Sequence, residues 1–120
     1  MSRRLTVLLV PVLLLAAVFA LPAHGAGKKG ATKTVGVIDY AYTPARLTVR
    51  PGTKIVWEWD SANSAPHDVK LRSGPRGVKK FTSPTATAGI TYARTLRVKG
   101  TYRLFCTYHA TVMRQTIVVK

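Results

Sequence analysis

The sequence predicts an all-β fold: a single Greek-key antiparallel β-sandwich preceded by a secretory signal peptide. Three observations carry this reading. From residue 34 onward the chain breaks into short runs rich in β-branched and aromatic residues, the side chains that fit a pleated, half-buried surface. The runs recur at regular spacing and are divided by turn residues such as Pro51-Gly52 and Lys99-Gly100, which is the pattern of a sandwich. No helix of note interrupts them.

The N-terminus is set aside first. Arg3 and Arg4 precede an almost wholly apolar run at 5–21, and Pro22-Ala23-His24-Gly25 supplies small residues at the −3 and −1 positions of a cleavage site after Gly25. The run is short for a membrane span once Pro11 is counted against it, so residues 1–25 read as a signal peptide, with a retained anchor as the alternative. No cysteine lies in or just after this run, which excludes lipid attachment at an N-terminal cysteine. The protein is expected to be exported to the periplasm, the cell envelope or the medium.

Residues 26–33 are mostly glycine and lysine and read as a flexible lead-in. The domain then runs over 34–120. Strands are expected at 34–40, 47–50, 54–59, 67–71, 91–98, 102–106 and 116–119, with an irregular edge strand at 78–81. In the third of these, Ile55, Trp57 and Trp59 share one face, and Lys54 and Glu58 the other, the alternation of a strand with one side buried. Residues 60–66 form a polar loop. Residues 73–89, with their Gly, Pro, Ser and Thr, form a long connection.

Removal of 1–25 sharpens the census. His24 and Met1 are lost, leaving two histidines, His67 and His109, one cysteine, Cys106, and one methionine, Met113. The 95 remaining residues suffice for one small domain. Seventeen Lys and Arg stand against four acids, Asp39, Glu58, Asp60 and Asp68, so the mature charge is +13. A lone cysteine cannot form an intramolecular disulfide, so it is a free thiol or a metal ligand.

Cys106, His109 and Met113 follow one another as C-x2-H-x3-M at the end of an alternating run that Gly100 opens. That spacing suits a strand delivering a thiolate into a tight loop whose imidazole and thioether turn back toward it. Thiolate, imidazole and weak thioether form the ligand set of a blue-copper electron-transfer site once a second histidine joins, and His67 is available. The competing reading is four ordinary residues: a buried small thiol, two loop histidines and a methionine filling a core gap. Zinc is the rival metal, although a thioether fourth ligand argues against it.

Several segments resemble the cupredoxins of the plastocyanin, amicyanin and pseudoazurin kind. Tyr42-Thr43-Pro44, Leu47-Thr48-Val49 and Pro51-Gly52 resemble that family's opening, and Ile55-Val56-Trp57 its V-x-W strand. Pro66-His67-Asp68-Val69 is similar to its P-H-N/D-V segment. Gly100-Thr101-Tyr102 and Phe105-Cys106-Thr107-Tyr108-His109 are similar to its G-x-Y and C-x2-H elements. The match spans 42–119 in order. Two features depart from it: Met113-Arg114-Gln115 stands where M-x-G is frequent, and Trp59 where Asn is frequent.

The resemblance implies one type 1 copper, cycling between Cu(II) and Cu(I), on His67, Cys106, His109 and Met113. It implies that Asp68 ties the His67 segment to the Cys106 loop. It also implies that electrons leave at the His109 edge, flanked by Pro66, Tyr108 and Ala110. The expected function is an exported carrier of single electrons and not an enzyme, since a second histidine cluster for a substrate or oxygen centre is missing from the sequence. The alternatives are a copper-holding or copper-delivery protein and a metal-free interaction domain. The charge implies a redox partner that has an acidic docking face, electrostatic contact with an anionic envelope and no specific nucleic acid, and the chain is expected to be a monomer.

Overall fold

The computed structural model describes residues 30–120. The signal peptide expected at 1–25, its cleavage point and the first half of the lead-in lie outside the described residues. Eight strands follow: β1 Thr32–Ile38, β2 Ala41–Thr43, β3 Arg46–Val49, β4 Thr53–Trp59, β5 Lys70–Ser73, β6 Thr91–Leu96, β7 Gly100–Phe105 and β8 Arg114–Val119. They form two four-stranded sheets, ordered β2-β1-β4-β6 and β3-β8-β7-β5.

The expected β-sandwich is present, with each sheet mixed rather than purely antiparallel. β1 runs parallel to β4 and β3 parallel to β8, while the other four pairings are antiparallel. Parallel neighbours cannot be joined by a tight hairpin. Here β2 and β3 lie between β1 and β4 in the chain but in different sheets, so the crossing between sheets replaces the hairpin.

Burial follows the pleat. In β4, Thr53, Ile55, Trp57 and Trp59 are buried, and the residues between them are not. Tyr102 and Leu104 of β7 and Ile117 and Val119 of β8 meet them from the second sheet in one continuous core. Each large apolar side chain so enclosed contributes roughly 1.5–3 kcal/mol, and Trp57 is among the largest fully buried.

Most strand ends shift by one or two residues from the sequence expectation, β2 is an additional strand, and three further differences have physical causes. The run expected at 34–40 begins at Thr32 and ends at Ile38, where Asp39 and Tyr40 turn the chain into β2. The strand expected from His67 begins only at Lys70, because His67 pairs with Ala86 in an isolated bridge. At 78–81 the chain forms no strand; instead Phe81 inserts its ring into the core.

Candidate metal centre

Cys106 follows β7 directly and precedes a single 3-10 turn, Thr107–His109. The loop from there to β8 is closed by its own backbone. Cys106 N–H donates to Met113 O at 3.0 Å, His109 N–H to Cys106 O at 3.2 Å, and Met113 N–H to His109 O at 2.9 Å. Three residues between His109 and Met113 are therefore enough to return the chain to the thiol. The loop is held at both ends because β7 and β8 are paired up to Phe105↔Arg114.

His67 arrives from the opposite side, on the connection between β4 and β5. Two backbone bonds with Ala86 and the Trp59 indole N–H, 3.2 Å from His67 O, clamp its main chain. Trp59, which departs from the family pattern, thus has a place: its indole fixes the segment that carries the histidine. The His67 side chain is wholly buried.

The structure brings three of the four expected ligands together. One ligand atom each of His67, Cys106 and His109 lies within 4.8 Å of the others. Metal bonds of about 2.0–2.3 Å set ligand atoms about 4 Å apart around one ion, so the triangle contracts slightly to share it. Met113 is fully buried in the same core and tied by its backbone to Cys106 and His109.

The donor chemistry fits a soft metal. His67 Nδ1 and His109 Nε2 are buried and have no hydrogen-bond partner. Such orphaned nitrogens are costly unless something takes the lone pair. Burial pushes the Cys106 thiol above its ordinary value, while backbone N–H groups of Asp68, Tyr108 and His109 beside the sulfur favour the thiolate. A cation supplying the missing charge would shift that balance toward the thiolate.

Asp68, buried, accepts the Thr107 N–H at 2.7 Å, the tie expected between the His67 segment and the Cys106 loop. Its own carbonyl accepts the buried Tyr42 hydroxyl at 2.5 Å. Sequence reading missed the turn between β1 and β2. Asp39 Oδ1 lies 2.7 Å from His67 Nε2. The Ser64 N–H, first, and then His67 hold the Asp39 carboxyl well below its usual range. Tyr40, at φ 64°, sets its ring edge-on to His109 with centroids 4.7 Å apart and to His67 at 6.2 Å. The available signal was that the mature sequence has only four acids, so each one required a reason.

Residues 30–120 match a family model described as copper binding proteins, plastocyanin/azurin family. A reduced amicyanin variant is 30% identical over 76% of this chain and 83% of its own, with a TM-score of 0.64. The amicyanin of Paracoccus versutus is 27% identical over 84% of this chain and 86% of that one, at TM-score 0.63. A Sinorhizobium pseudoazurin, 22% identical over 75% and 74% of the two chains at TM-score 0.62, shares the fold. No curated protein sequence matches the chain. The family match covers the whole described domain, and the chain belongs to the plastocyanin/azurin family of copper-binding proteins, the cupredoxins.

Proposed function

We propose that the chain is an exported blue-copper electron carrier in which His67, Cys106 and His109 hold the copper and Met113 is its weak axial ligand. The observation that carries this is one thiol and two imidazoles with ligand atoms within 4.8 Å of one another, each ring having one buried nitrogen without a partner. Copper supplies a one-electron couple. The chain supplies rigidity: the loop 106–113 is closed by backbone bonds, and His67 is clamped by Ala86 and Trp59. Ligands held this way need little rearrangement between oxidation states. With two histidines in the mature sequence, both used here, the chain acts as a carrier and not as an enzyme. In this reading the copper domain is 34–120, extended by the two residues with which β1 begins at Thr32.

Export rests on the signal pattern at 1–25. An acidic partner is supported by a charge asymmetry between the two sheets. On the outward register of β2-β1-β4-β6 only Lys54 and Glu58 are charged, and they offset each other. The outward register of β3-β8-β7-β5 carries Arg46, Lys70, Arg72, Arg103 and Arg114 with no acid. Arg72, Arg103 and Arg114 line a shallow groove with Phe105, whose ring lies 4.6 Å below the Arg72 guanidinium. A surface of that sign draws acidic partners, and the overall charge opposes self-association, consistent with a monomer.

The test is stopped-flow reduction of the copper protein by an anionic and a cationic reagent across ionic strength, with copper assayed afterwards. A carrier is reduced quickly by the anion, loses that advantage as the Debye length falls from ~30 Å at 0.01 M to ~8 Å at 0.15 M, and keeps its copper. Slow reduction with release of Cu(I) would instead identify a copper store.

A further inference from the structure

We propose that Asp39 is a positioning residue of the copper site: its carboxylate fixes the His67 ring as the Nε2–H tautomer, leaves Nδ1 free for the metal, and makes this imidazole favour Cu(II) over Cu(I). The proposal rests on the reading of His67 as a copper ligand.

The tautomer follows from the partners. An ionised carboxylate only accepts hydrogen bonds, so the 2.7 Å contact from His67 Nε2 to Asp39 Oδ1 places the ring proton on Nε2. The neutral ring then has a bare Nδ1, and Nδ1 is the buried atom without a partner. Ligating histidines commonly donate their second N–H to such a group, which sets the ring orientation and strengthens donation to the metal.

The carboxylate is preset before the histidine meets it. Ser64 N–H and Ser64 Oγ–H donate to Asp39 Oδ2, each at 2.9 Å, and Ala65 N–H donates to Oδ1 at 3.2 Å. These donors come from the loop just ahead of His67, so the loop and the β1–β2 turn lock together. The His67 backbone has separate anchors in Ala86 and Trp59. What Asp39 adds is therefore confined to the ring and to charge. Copper(II) on one thiolate has a net positive charge, and copper(I) on one thiolate has none. A fixed negative charge beside a ligand thus stabilises the oxidised site more than the reduced one.

The experiment compares wild type, Asp39→Asn and Asp39→Glu as copper proteins. Asparagine keeps an acceptor near Nε2 but removes the charge. Its preference for Cu(I) should rise by roughly ten- to hundredfold, the size of one charge interaction over several ångströms at an effective dielectric near 20, which raises the reduction potential by about 59 mV for each tenfold in a one-electron couple. Asp39→Glu should return the potential toward wild type, and all three should keep the blue band. An Asn potential that is unchanged or lower, or a Glu variant that moves with Asn, would overturn the proposal. A second measurement needs no variant: 15N chemical shifts of His67 in the metal-free wild type should show a protonated Nε2 and a bare Nδ1, and a protonated Nδ1 would overturn it. Wild type that never turns blue would defeat the copper assignment itself, a result separate from these.

Discussion

Asp68 accepts the Thr107 N–H at 2.7 Å, joining the residue after one imidazole to the residue after the thiol. The two segments come from different parts of the chain, and this bond is part-buried. Asp68→Ala should therefore cost about 1.5–3 kcal/mol, the value of a hydrogen bond to a charged group. Asp68→Asn, which keeps an acceptor, should cost less. Chemical denaturation of the metal-free protein checks both, and an Ala variant as stable as wild type would show that the tie contributes nothing.

Tyr40 covers the ring of His109 from the solvent side while remaining 53% exposed itself. It does so from left-handed backbone that costs a non-glycine residue roughly 1–2 kcal/mol. Tyr40→Gly should relieve part of that cost and strip the cover. The variant is expected to keep wild-type stability or gain up to about 1 kcal/mol, while water-proton relaxation by its Cu(II) form rises. A variant less stable than wild type with unchanged relaxation would mean that the ring packs for structure and does not shield the site.

Burial raises the phenol pKa of Tyr42 and of Tyr102 above the ordinary value. Each stays protonated in the fold at a pH where the unfolded chain has begun to ionise. Folding stability from these groups is complete below about pH 10, the unfolded value, and is lost as pH rises past it. The melting temperature of the metal-free protein should fall between roughly pH 9 and 11. Tyr42→Phe should flatten that fall and cost about 1 kcal/mol or more, because the Asp68 carbonyl loses its donor. A melting temperature that holds or rises over this range contradicts the assignment.

The strand pattern was legible because burial on β4 and β7 follows a strict two-residue period, as with Ile55, Trp57 and Trp59. The thiol and His109 were legible for a related reason: they lie three residues apart on one loop, so local spacing carries their geometry. The Asp39–Tyr40 turn was not. It lacks the Asn-Gly or Asp-Gly signal of a two-residue hairpin, and its partner His67 is 28 residues away. Tertiary contacts of this kind leave no period in the sequence. Parallel pairing of β1 with β4 was hidden likewise, since each strand's own alternation is the same whichever way its neighbour runs.

Gln115 is the plainest case of a residue whose role only the fold reveals. Its Oε1 accepts the Trp57 indole N–H at 2.9 Å and its Nε2 donates to Pro44 O at 2.8 Å, linking both sheets through the core. The frequent glycine at this position could make neither bond. Gln115→Leu, close in volume, should orphan both groups and lower stability by about 2–6 kcal/mol, on the order of 1–3 for each. Thermal unfolding would decide, and a loss under about 1 kcal/mol would show that water replaces both bonds.

Met113 should tune the site more than build it, because the thiolate and two imidazoles supply most of the binding. Met113→Leu is expected to keep the colour and to raise the reduction potential by weakening stabilisation of Cu(II). Loss of copper, or a potential that does not move, would remove Met113 from the axial position.

The most direct test of the copper assignment is the optical spectrum of the purified protein on addition of Cu(II). If His67, Cys106 and His109 close on one ion, an intense blue charge-transfer band grows to one copper per chain, and Cys106→Ser abolishes it. A protein that stays colourless with one zinc per chain, or a band that survives loss of the thiol, would contradict it.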